Sequence, residues 1–390
     1  MVVGTLPMAV LPFFFPDPDV TFAEFRYTDA PLGGKLEQLC GLLEGGPVTV
    51  SLHELEARYA RENYAEAAYF VRAGSVPEGL VRAGIMRPED RLLLCTEDAD
   101  AFEERFPAES LFFVDGPGSG AFERVSLGCA AETSVPDGNE VWLVQAVGGR
   151  ELAVADVRTL ATAAHARGAL LAVDVSPCSS FGCRPLEAGA DAGIEEFRYA
   201  EGFAEDHLCA LALATRNHGR RRGGQDADRD GWRAQAVQAA LERAAAACDP
   251  LSEEELARAE AALDAQPREM QTRFDNARAL AEYLACHPGV PLVAYPGLKD
   301  HPDHDVAARM LRHGYGPIVD FQLPEHISPA AFLVRCGCAV DKVADVARTR
   351  LSVLDEEARY MRLIAGLNNP LDIADDLDQA HRWFRNPPEP

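Results

Sequence analysis

Lysine is nearly absent from this chain of 390 residues. Only Lys35, Lys299 and Lys342 occur, so arginine supplies almost all of the 37 basic side chains. Acidic side chains number 62, which gives a net charge of −25. A surface so strongly negative repels phosphate backbones and anionic lipid headgroups. We therefore expect neither nucleic acid nor a membrane surface as a partner.

The ten cysteines include no CxxC pair, and Cys336 and Cys338 are too close together for the usual zinc spacing. No metal site is expected. Scattered cysteines in a chain of this length are typical of free thiols in a reducing compartment. Residues 1–20 are apolar, but they have no basic start and contain Pro7 and Pro12, unlike a secretory signal. We expect a cytoplasmic protein.

The composition changes along the chain in a way that indicates three parts. Residues 1–50 are rich in proline and glycine and are predicted to form an N-terminal arm. Residues 51–266 are predicted to form a large α/β domain, in which residues 218–266 make a surface loop and bridging helices. Residues 267–390 are predicted to form a smaller C-terminal α/β domain. At about 150 residues per domain, two or three units suit this length.

Short apolar runs alternate with helical patterns, which predicts an α/β fold with a largely parallel sheet. The clearest helix is Val157–Arg167, whose apolar residues share one face and which ends at Gly168. The candidate strands of the large domain are Ala68–Val71, Leu92–Cys95, Leu111–Val114, Val141–Gln145 and Leu170–Val175. The C-terminal part is predicted to contain helices Arg268–Cys286, Asp305–His313 and Leu371–Phe384 and strands Pro291–Tyr295 and Pro317–Leu323.

Three local patterns suggest chemistry but have simpler explanations. Gly116–Gly120 lacks the Lys-Ser/Thr helix start of a phosphate-binding loop, so a plain turn is favoured. His301 and His304 flank a Pro-Asp pair that typically begins a helix, and no third metal ligand is nearby in the sequence. Cys178 and Cys183 could form a redox pair, but the sequence gives no reason for a low thiol pKa.

Asp174 is a stronger candidate, because it lies at the end of an apolar strand, Ala169–Val175. Ligands of open parallel sheets bind beyond the carboxyl ends of the strands. The simplest interpretation of an acid at such a place is a helix or turn cap, and the alternative is a ligand-binding group. The neighbouring sequence decides between these interpretations.

Four blocks of the sequence resemble one known family in the same order. Residues 154–216 contain the strand ending in Asp174 and the turn Arg-Pro-Leu-Glu-Ala-Gly-Ala-Asp, and residues 268–323 contain Tyr-Pro-Gly-Leu-Lys-Asp-His-Pro-Asp-His. The others are Arg-Leu-Ser-Val at 350–353 and, more faintly, residues 26–46. They resemble the pyridoxal-phosphate (PLP) enzymes of Cys/Met metabolism, the trans-sulfuration enzymes such as cystathionine γ-synthase, cystathionine γ-lyase and methionine γ-lyase. The resemblance implies a PLP-dependent transferase-like fold of the aspartate aminotransferase type.

The residues on which that family's chemistry depends are replaced here. The resemblance puts Arg198 at the lysine that forms a Schiff base with the PLP aldehyde, and a guanidinium is a very poor imine-forming nucleophile. Glu195 and Glu196 stand where a Ser and a Thr hold the cofactor phosphate, and carboxylates repel a phosphate. Gly149 replaces the asparagine at the phenolic oxygen, and the tyrosine that stacks on the ring falls at or near Ala99.

Other positions of the family persist. Asp174 matches the acid that pairs with the pyridine nitrogen, and Arg350 matches the arginine that binds the substrate carboxylate. Arg26 remains from an N-terminal pair that reaches the phosphate from the partner subunit. The turn Gly74-Ser75 matches the one whose N–H groups hold the phosphate, with Ser51 as a rival for that position.

The sequence therefore favours a catalytically degenerate homologue that forms no covalent link to PLP. Such a protein would be a partner subunit or would bind a small carboxylate or amino acid. Two alternatives stay open: an active PLP-dependent C–S lyase or γ-synthase acting on sulfur amino acids with an atypical site, and an enzyme that has left PLP for another reaction. The resemblance also implies a homodimer or homotetramer.

Overall fold

The computed structural model describes residues 50–72, 91–95, 122–125, 140–197, 208–214, 251–337 and 347–385. From Ser51 onward these residues belong to one compact unit. Four of the predicted site positions, Arg26, Gly74, Ser75 and Arg198, lie outside the described residues, as does the predicted arm. None of the helices in the described ranges is long and apolar enough to cross a bilayer.

A seven-stranded sheet forms the first part of this unit, in the order β1-β9-β8-β7-β4-β2-β3. Its strands are β1 (Ala67–Arg72), β2 (Arg91–Cys95), β3 (Phe122–Val125), β4 (Glu140–Gln145), β7 (Leu170–Asp174), β8 (Ala192–Glu196) and β9 (Leu208–Leu213). Only β9 runs antiparallel to its neighbours among these seven, so the predicted α/β fold with a largely parallel sheet is confirmed. The short strands β5 (Val147–Gly148) and β6 (Ala153–Val154) form a hairpin beyond β4.

Four helices pack near this sheet: α1 (Leu52–Glu62), α2 (Val157–Ala166), α3 (Ser179–Gly182) and α4 (Pro185–Ala188). A capping box starts α1, because the Ser51 hydroxyl accepts from the Glu54 N–H and the Glu54 carboxylate accepts from the Ser51 N–H. The predicted apolar face of α2 is buried against the sheet. The predicted strand Leu111–Val114 lies outside the described residues, and β3 was missed.

A single helix of 34 residues, α5 (Glu253–Cys286), follows. The prediction of a helix beginning at Arg268 was therefore wrong at its start. Ser252 and Glu255 form a second capping box, and the Ala- and Glu-rich sequence after them continues the helix through Pro267. A proline inside a helix removes one backbone hydrogen bond, which the flanking turns tolerate here. The domain boundary near residue 266 stays a prediction, and this helix runs across it.

A four-stranded antiparallel sheet in the order β10-β11-β13-β12 forms the C-terminal part. Its strands are β10 (Leu292–Ala294), β11 (Ile318–Gln322), β12 (Arg350–Asp355) and β13 (Tyr360–Ile364), and its helices are α6 (His304–Met310), α7 (Pro329–Arg335) and α8 (Pro370–Arg385). One face of the sheet is apolar and packs with α5 and α8 in a core that includes Phe321, Leu351 and Met361. The other face carries Asp320, Arg350, Tyr360 and Arg362, because side chains alternate along a strand.

Candidate functional site

Several strands of the large sheet end at one edge, where the predicted site positions follow. β7 ends at Asp174, β4 ends at Gln145 and β8 ends at Glu196. β1 runs in the same direction as β8, because both are antiparallel to β9. One residue separates the end of β1 from Gly74, and one separates the end of β8 from Arg198. The topology thus gathers at this edge the strand ends that lead to the predicted positions.

Asp174 is fully buried at this edge and is held by local partners. One carboxylate oxygen accepts from the Ser176 N–H at 2.9 Å and from the Ser176 hydroxyl. The other accepts from the Gln145 side-chain amide at 3.2 Å. Gly148 leaves room for that amide, since a Cβ there would lie 2.3 Å from Gln145 Oε1. Asp174 thus lies at the end of its strand, as predicted, and its carboxylate is held by Ser176 and Gln145.

Ser51 was the alternative to Gly74 as the phosphate-binding position, but its polar groups are already hydrogen-bonded. Its hydroxyl and its N–H are both bound within the capping box of α1, and the residue is exposed. A helix start that carries a glutamate on its free N–H groups repels a second anion. This geometry favours Gly74 as the position to test.

The thiols of Cys178 and Cys183 lie at the two ends of α3, and both are buried. A hydrogen bond between the two thiols, burial, and the negative charges of Asp174 and Glu195 raise the pKa of the Cys178 thiol well above its ordinary value. A buried thiol that resists ionisation is a poor nucleophile. The environment therefore favours inert thiols, and both cysteines are free.

Glu195 is the second carboxylate at this edge, and only 2% of it is exposed. The Tyr59 hydroxyl of α1 donates to one carboxylate oxygen at 2.8 Å, and the Gln266 amide of α5 donates to the other at 2.8 Å. Burial raises the pKa of Glu195, whereas hydrogen bonds from Ser180, Tyr59 and Ser179 oppose that shift. Neutral donors from three helices thus converge on one carboxylate.

Glu196 follows Glu195 but lies on the opposite face of β8, because successive side chains alternate. It is half-buried, and its N–H donates to the Ser176 hydroxyl at 2.9 Å. The expectation that both glutamates face one phosphate is therefore wrong for this strand.

The segment after β4 is fixed to the polar face of the small sheet. The Arg362 guanidinium donates to the Gly149 carbonyl at 2.7 Å and forms two bonds to Asp320, at 2.8 and 2.7 Å. The Tyr360 hydroxyl donates to the Glu151 carboxylate at 2.7 Å. Burial raises the pKa of Asp320, and the Arg362 charge opposes this shift. The carboxyl edge of one sheet and the polar face of the other are thereby held together.

Arg350 lies on the same polar face as Arg362. Arg362 pairs with Ser352 in the register, so Arg350 is its diagonal neighbour on β12, at about 7–8 Å. Arg350 is half-buried, and its guanidinium has no ion-pair partner within the parts of the chain that the structure describes. Within the described ranges, an arginine without an acidic partner therefore lies beside one that is paired with Asp320.

The His301–His304 segment contributes no metal site. Histidine His301 hydrogen-bonds with the Glu151 carbonyl at 2.8 Å, and the Asp303 carboxylate accepts from a backbone N–H of β6 at 2.9 Å. Across the described ranges, no group of three or more His, Cys, Asp or Glu side chains could hold a metal ion. The predicted helix start is confirmed, since α6 begins at His304.

Sequence reasoning missed the partners of the buried carboxylates Glu195 and Asp320. Tyr59 and Gln266 lie 136 and 71 residues from Glu195, and no local pattern connects them. The Asp320–Arg362 pair had a weak signal, because each charged residue lies in the middle of an apolar strand. Opposite charges at matching places in two such strands could have predicted their pairing.

The described residues fit PLP at its ring but do not fit its phosphate. Asp174 has the charge and the position that suit a pyridine nitrogen. Glu195, however, brings a buried carboxylate to the strand where the resemblance puts a phosphate-binding hydroxyl, and its donors are already engaged. A phosphate dianion beside that carboxylate would be strongly repelled. No reaction step through PLP follows from this site.

Comparisons with known proteins find relatives in the family that the motifs resemble. The family described as Cys/Met metabolism PLP-dependent enzyme matches residues 262–336. A putative cystathionine gamma-lyase of Streptomyces coelicolor is 32% identical over 258 residues, which are 64% of this chain and 61% of the relative. An O-succinylhomoserine sulfhydrylase of Pseudomonas aeruginosa is 31% identical over 195 residues, 50% of this chain and 43% of the relative. The chain thus spans less than two thirds of the length of these relatives.

Solved structures show the same fold. A methionine gamma lyase from Micromonospora echinospora superposes with a TM-score of 0.66 and 23% identity, covering 85% of each chain. A cystathionine gamma-lyase from Lactobacillus plantarum superposes with a TM-score of 0.67 and 17% identity, covering 85% of this chain and 86% of the other. With the sequence relatives and the ordered motifs, this shared fold leads to one conclusion: the chain is similar in sequence and in fold to the Cys/Met metabolism PLP-dependent enzymes.

Proposed function

We propose that this chain is a homologue that has lost the lyase and synthase chemistry of its family and that binds small carboxylates such as amino or 2-oxo acids at Arg350. It would act as one subunit of a homo-oligomer. The carrying observation is the contrast between two neighbouring guanidiniums: Arg362 is bound by Asp320, whereas Arg350 has no acidic partner in the described ranges.

A carboxylate is the ligand that this arrangement suits. Arg350 begins β12, on the polar face that meets the carboxyl edge of the large sheet. A guanidinium binds a carboxylate through two parallel hydrogen bonds, and bonds to charged groups contribute about 1.5–3 kcal/mol. Such a contact supports binding of a small acid without any cofactor.

The few lysines of the chain support the loss of Schiff-base chemistry. Lys35 and Lys342 lie outside the described residues, and Lys299 is exposed in the turn between β10 and α6. The sequence has arginine, at position 198, where the family resemblance requires the lysine. A permanently charged guanidinium is a very poor nucleophile towards an aldehyde.

Calorimetric titration with alanine, pyruvate and succinate tests the binding proposal. We expect measurable heat with the wild-type protein and about tenfold to 100-fold weaker binding by Arg350→Ala. The matched control is Arg278→Ala, which removes an exposed arginine paired within α5 to Glu282. If no acid gives heat, or if both variants bind equally well, the carboxylate proposal is wrong.

The loss of cofactor chemistry has its own test. The protein is incubated with PLP, reduced with borohydride and digested for mass spectrometry. We expect no stoichiometric pyridoxyl label on any of the three lysines. A stoichiometric label on Lys299 or another lysine would instead favour the alternative, an active PLP-dependent lyase or synthase with an atypical site.

A further inference from the structure

We propose that Glu195 is a resident anion: its carboxylate occupies a set of neutral donors at the carboxyl edge of the large sheet that would otherwise bind a free oxyanion such as phosphate or sulfate. The proposal does not depend on carboxylate binding at Arg350, which lies on the other sheet. The proposal also goes beyond the loss of cofactor chemistry, because it names one side chain, Glu195, that prevents phosphate binding and that a substitution can remove.

The donors around Glu195 come from separate parts of the fold. The Tyr59 hydroxyl reaches it from α1 and the Gln266 amide reaches it from α5, each at 2.8 Å. Ser179 and Ser180 of α3 add further hydrogen bonds. The neutral donors of three helices therefore point to one place. The carboxylate of Glu195, near the end of β8, puts a negative charge there.

Convergent hydroxyl and amide donors without a cation can hold an oxyanion, because each dipole contributes and buried donors need an acceptor. An uncharged side chain at residue 195 would leave some of these donors without one. The carboxylate therefore suits the pocket electrostatically, and it excludes a second anion from the same donors. Phosphate, sulfate and the phosphate of PLP share this chemistry.

The neighbouring glutamate provides a matched control. Glu196 carries the same charge one residue along β8, but its side chain lies on the opposite face of the strand and away from Tyr59 and Gln266. Neutralising Glu196 changes the local charge by the same amount without vacating the donors. If the two variants differ in anion affinity, the difference therefore comes from the donors around Glu195 and not from the change in local charge.

The experiment uses the full chain as wild type, Glu195→Ser and Glu196→Gln. Each is titrated with inorganic phosphate, sulfate, PLP and pyridoxal, the last of which lacks the phosphate. We expect Glu195→Ser to bind phosphate, sulfate and PLP at least about tenfold more tightly than the wild type, a change of about 1.4 kcal/mol. Pyridoxal affinity should not change, and Glu196→Gln should resemble the wild type. Adding Tyr59→Phe to Glu195→Ser should reduce the gain.

Three outcomes would overturn the proposal: phosphate binding by the wild type as tight as by Glu195→Ser, an equal gain in Glu196→Gln, or a gain that extends to pyridoxal. If Glu195→Ser does not fold in dilute buffer, its refolding is compared in sodium sulfate and in sodium chloride of equal ionic strength. Sulfate stabilises proteins generally, so the wild type is measured in the same salts. We expect sulfate to improve the refolding of Glu195→Ser more than that of the wild type. An equal improvement of both would also count against the proposal that Glu195 is a resident anion.

Discussion

Two of the carboxylates that are buried in the described part of the chain, Asp320 and Glu195, have different kinds of partner. Asp320 lies in the middle of β11 and meets the Arg362 guanidinium through two hydrogen bonds. Glu195 lies at the end of β8 and meets the hydroxyl of Tyr59 and the amide of Gln266. Burial raises the pKa of both carboxyls, but a cation opposes the shift at Asp320 and hydroxyls oppose it at Glu195.

This difference predicts how each region responds to the loss of one charged side chain. At Asp320 the charges cancel within the protein, so loss of the arginine leaves an uncompensated buried charge. At Glu195 the charge stands among dipoles, so loss of the carboxylate leaves a neutral pocket with unused donors. The first region is built to hold two sheets together, because Arg362 also binds the Gly149 carbonyl. The second is built around an anion.

Arg362→Leu should have the largest effect on the free energy of unfolding. Removing one partner of a buried ion pair is expected to cost about 3–5 kcal/mol. Denaturant unfolding of the variant measures the cost. The control is Arg278→Leu, which breaks an exposed pair with Glu282 and should change stability by about 0.5 kcal/mol or less.

A second substitution sharpens this result. Asp320→Asn in the Arg362→Leu background removes the stranded charge, so the double variant should be more stable than Arg362→Leu alone. The bond to the Gly149 carbonyl stays lost, and recovery should therefore be incomplete. Equal stability of the single and double variants would show that the buried charge of Asp320 is not what the arginine compensates.

Tyr59→Phe should have an intermediate effect. It removes the hydroxyl that donates to the Glu195 carboxylate at 2.8 Å and leaves the packing of the ring intact. A hydrogen bond to a charged group contributes about 1.5–3 kcal/mol, so we expect a loss of that order in denaturant unfolding.

The control for this variant is Tyr64→Phe, because Tyr64 is 55% exposed. It should change stability by about 0.5 kcal/mol or less. In the Glu195→Gln background the cost of Tyr59→Phe should fall, since the acceptor is no longer charged. An undiminished cost there would mean that Tyr59 acts through its own packing and not through Glu195.

The comparison also separates what the sequence could predict from what it could not. Strand β7 and helix α2 were predictable because each has a continuous or periodic apolar pattern ended by a clear signal, Asp174 and Gly168. The start of α5 was not, because a proline inside a helical pattern usually marks a helix boundary, whereas this helix continues through Pro267.

For the site, a strand-end position was enough to select Asp174, but register and distant contacts decide the rest. The pairing of Asp320 with Arg362 depends on the alignment of β11 with β13, which no local window contains. The partners of Glu195 come from α1 and α5, far away in the chain. The sequence could show that Glu195 replaces a hydroxyl residue of the family. Only the fold shows that Tyr59 and Gln266 bind its carboxylate.

The smallest expected effect is a pH dependence that distinguishes Glu195 from a neutral side chain. Burial raises the pKa of Glu195 in the folded protein, so between its unfolded and folded pKa values the folded state binds more protons than the unfolded state. Stability supplied by this group is therefore present below the unfolded pKa and is lost as pH rises through the folded pKa.

Unfolding free energies of wild type and Glu195→Gln, measured across that pH range, test this sign. The wild type should lose stability relative to Glu195→Gln as pH rises, by about 1.4 kcal/mol for each tenfold change in the ionisation constant. Asp320 is present in both proteins, so its own raised pKa cancels in the difference. Added salt should leave the difference in place, because buried charges are little screened. A difference that grows in favour of the wild type with rising pH would mean that the donors stabilise the carboxylate beyond the cost of its burial, and the contrast with Asp320 would then disappear.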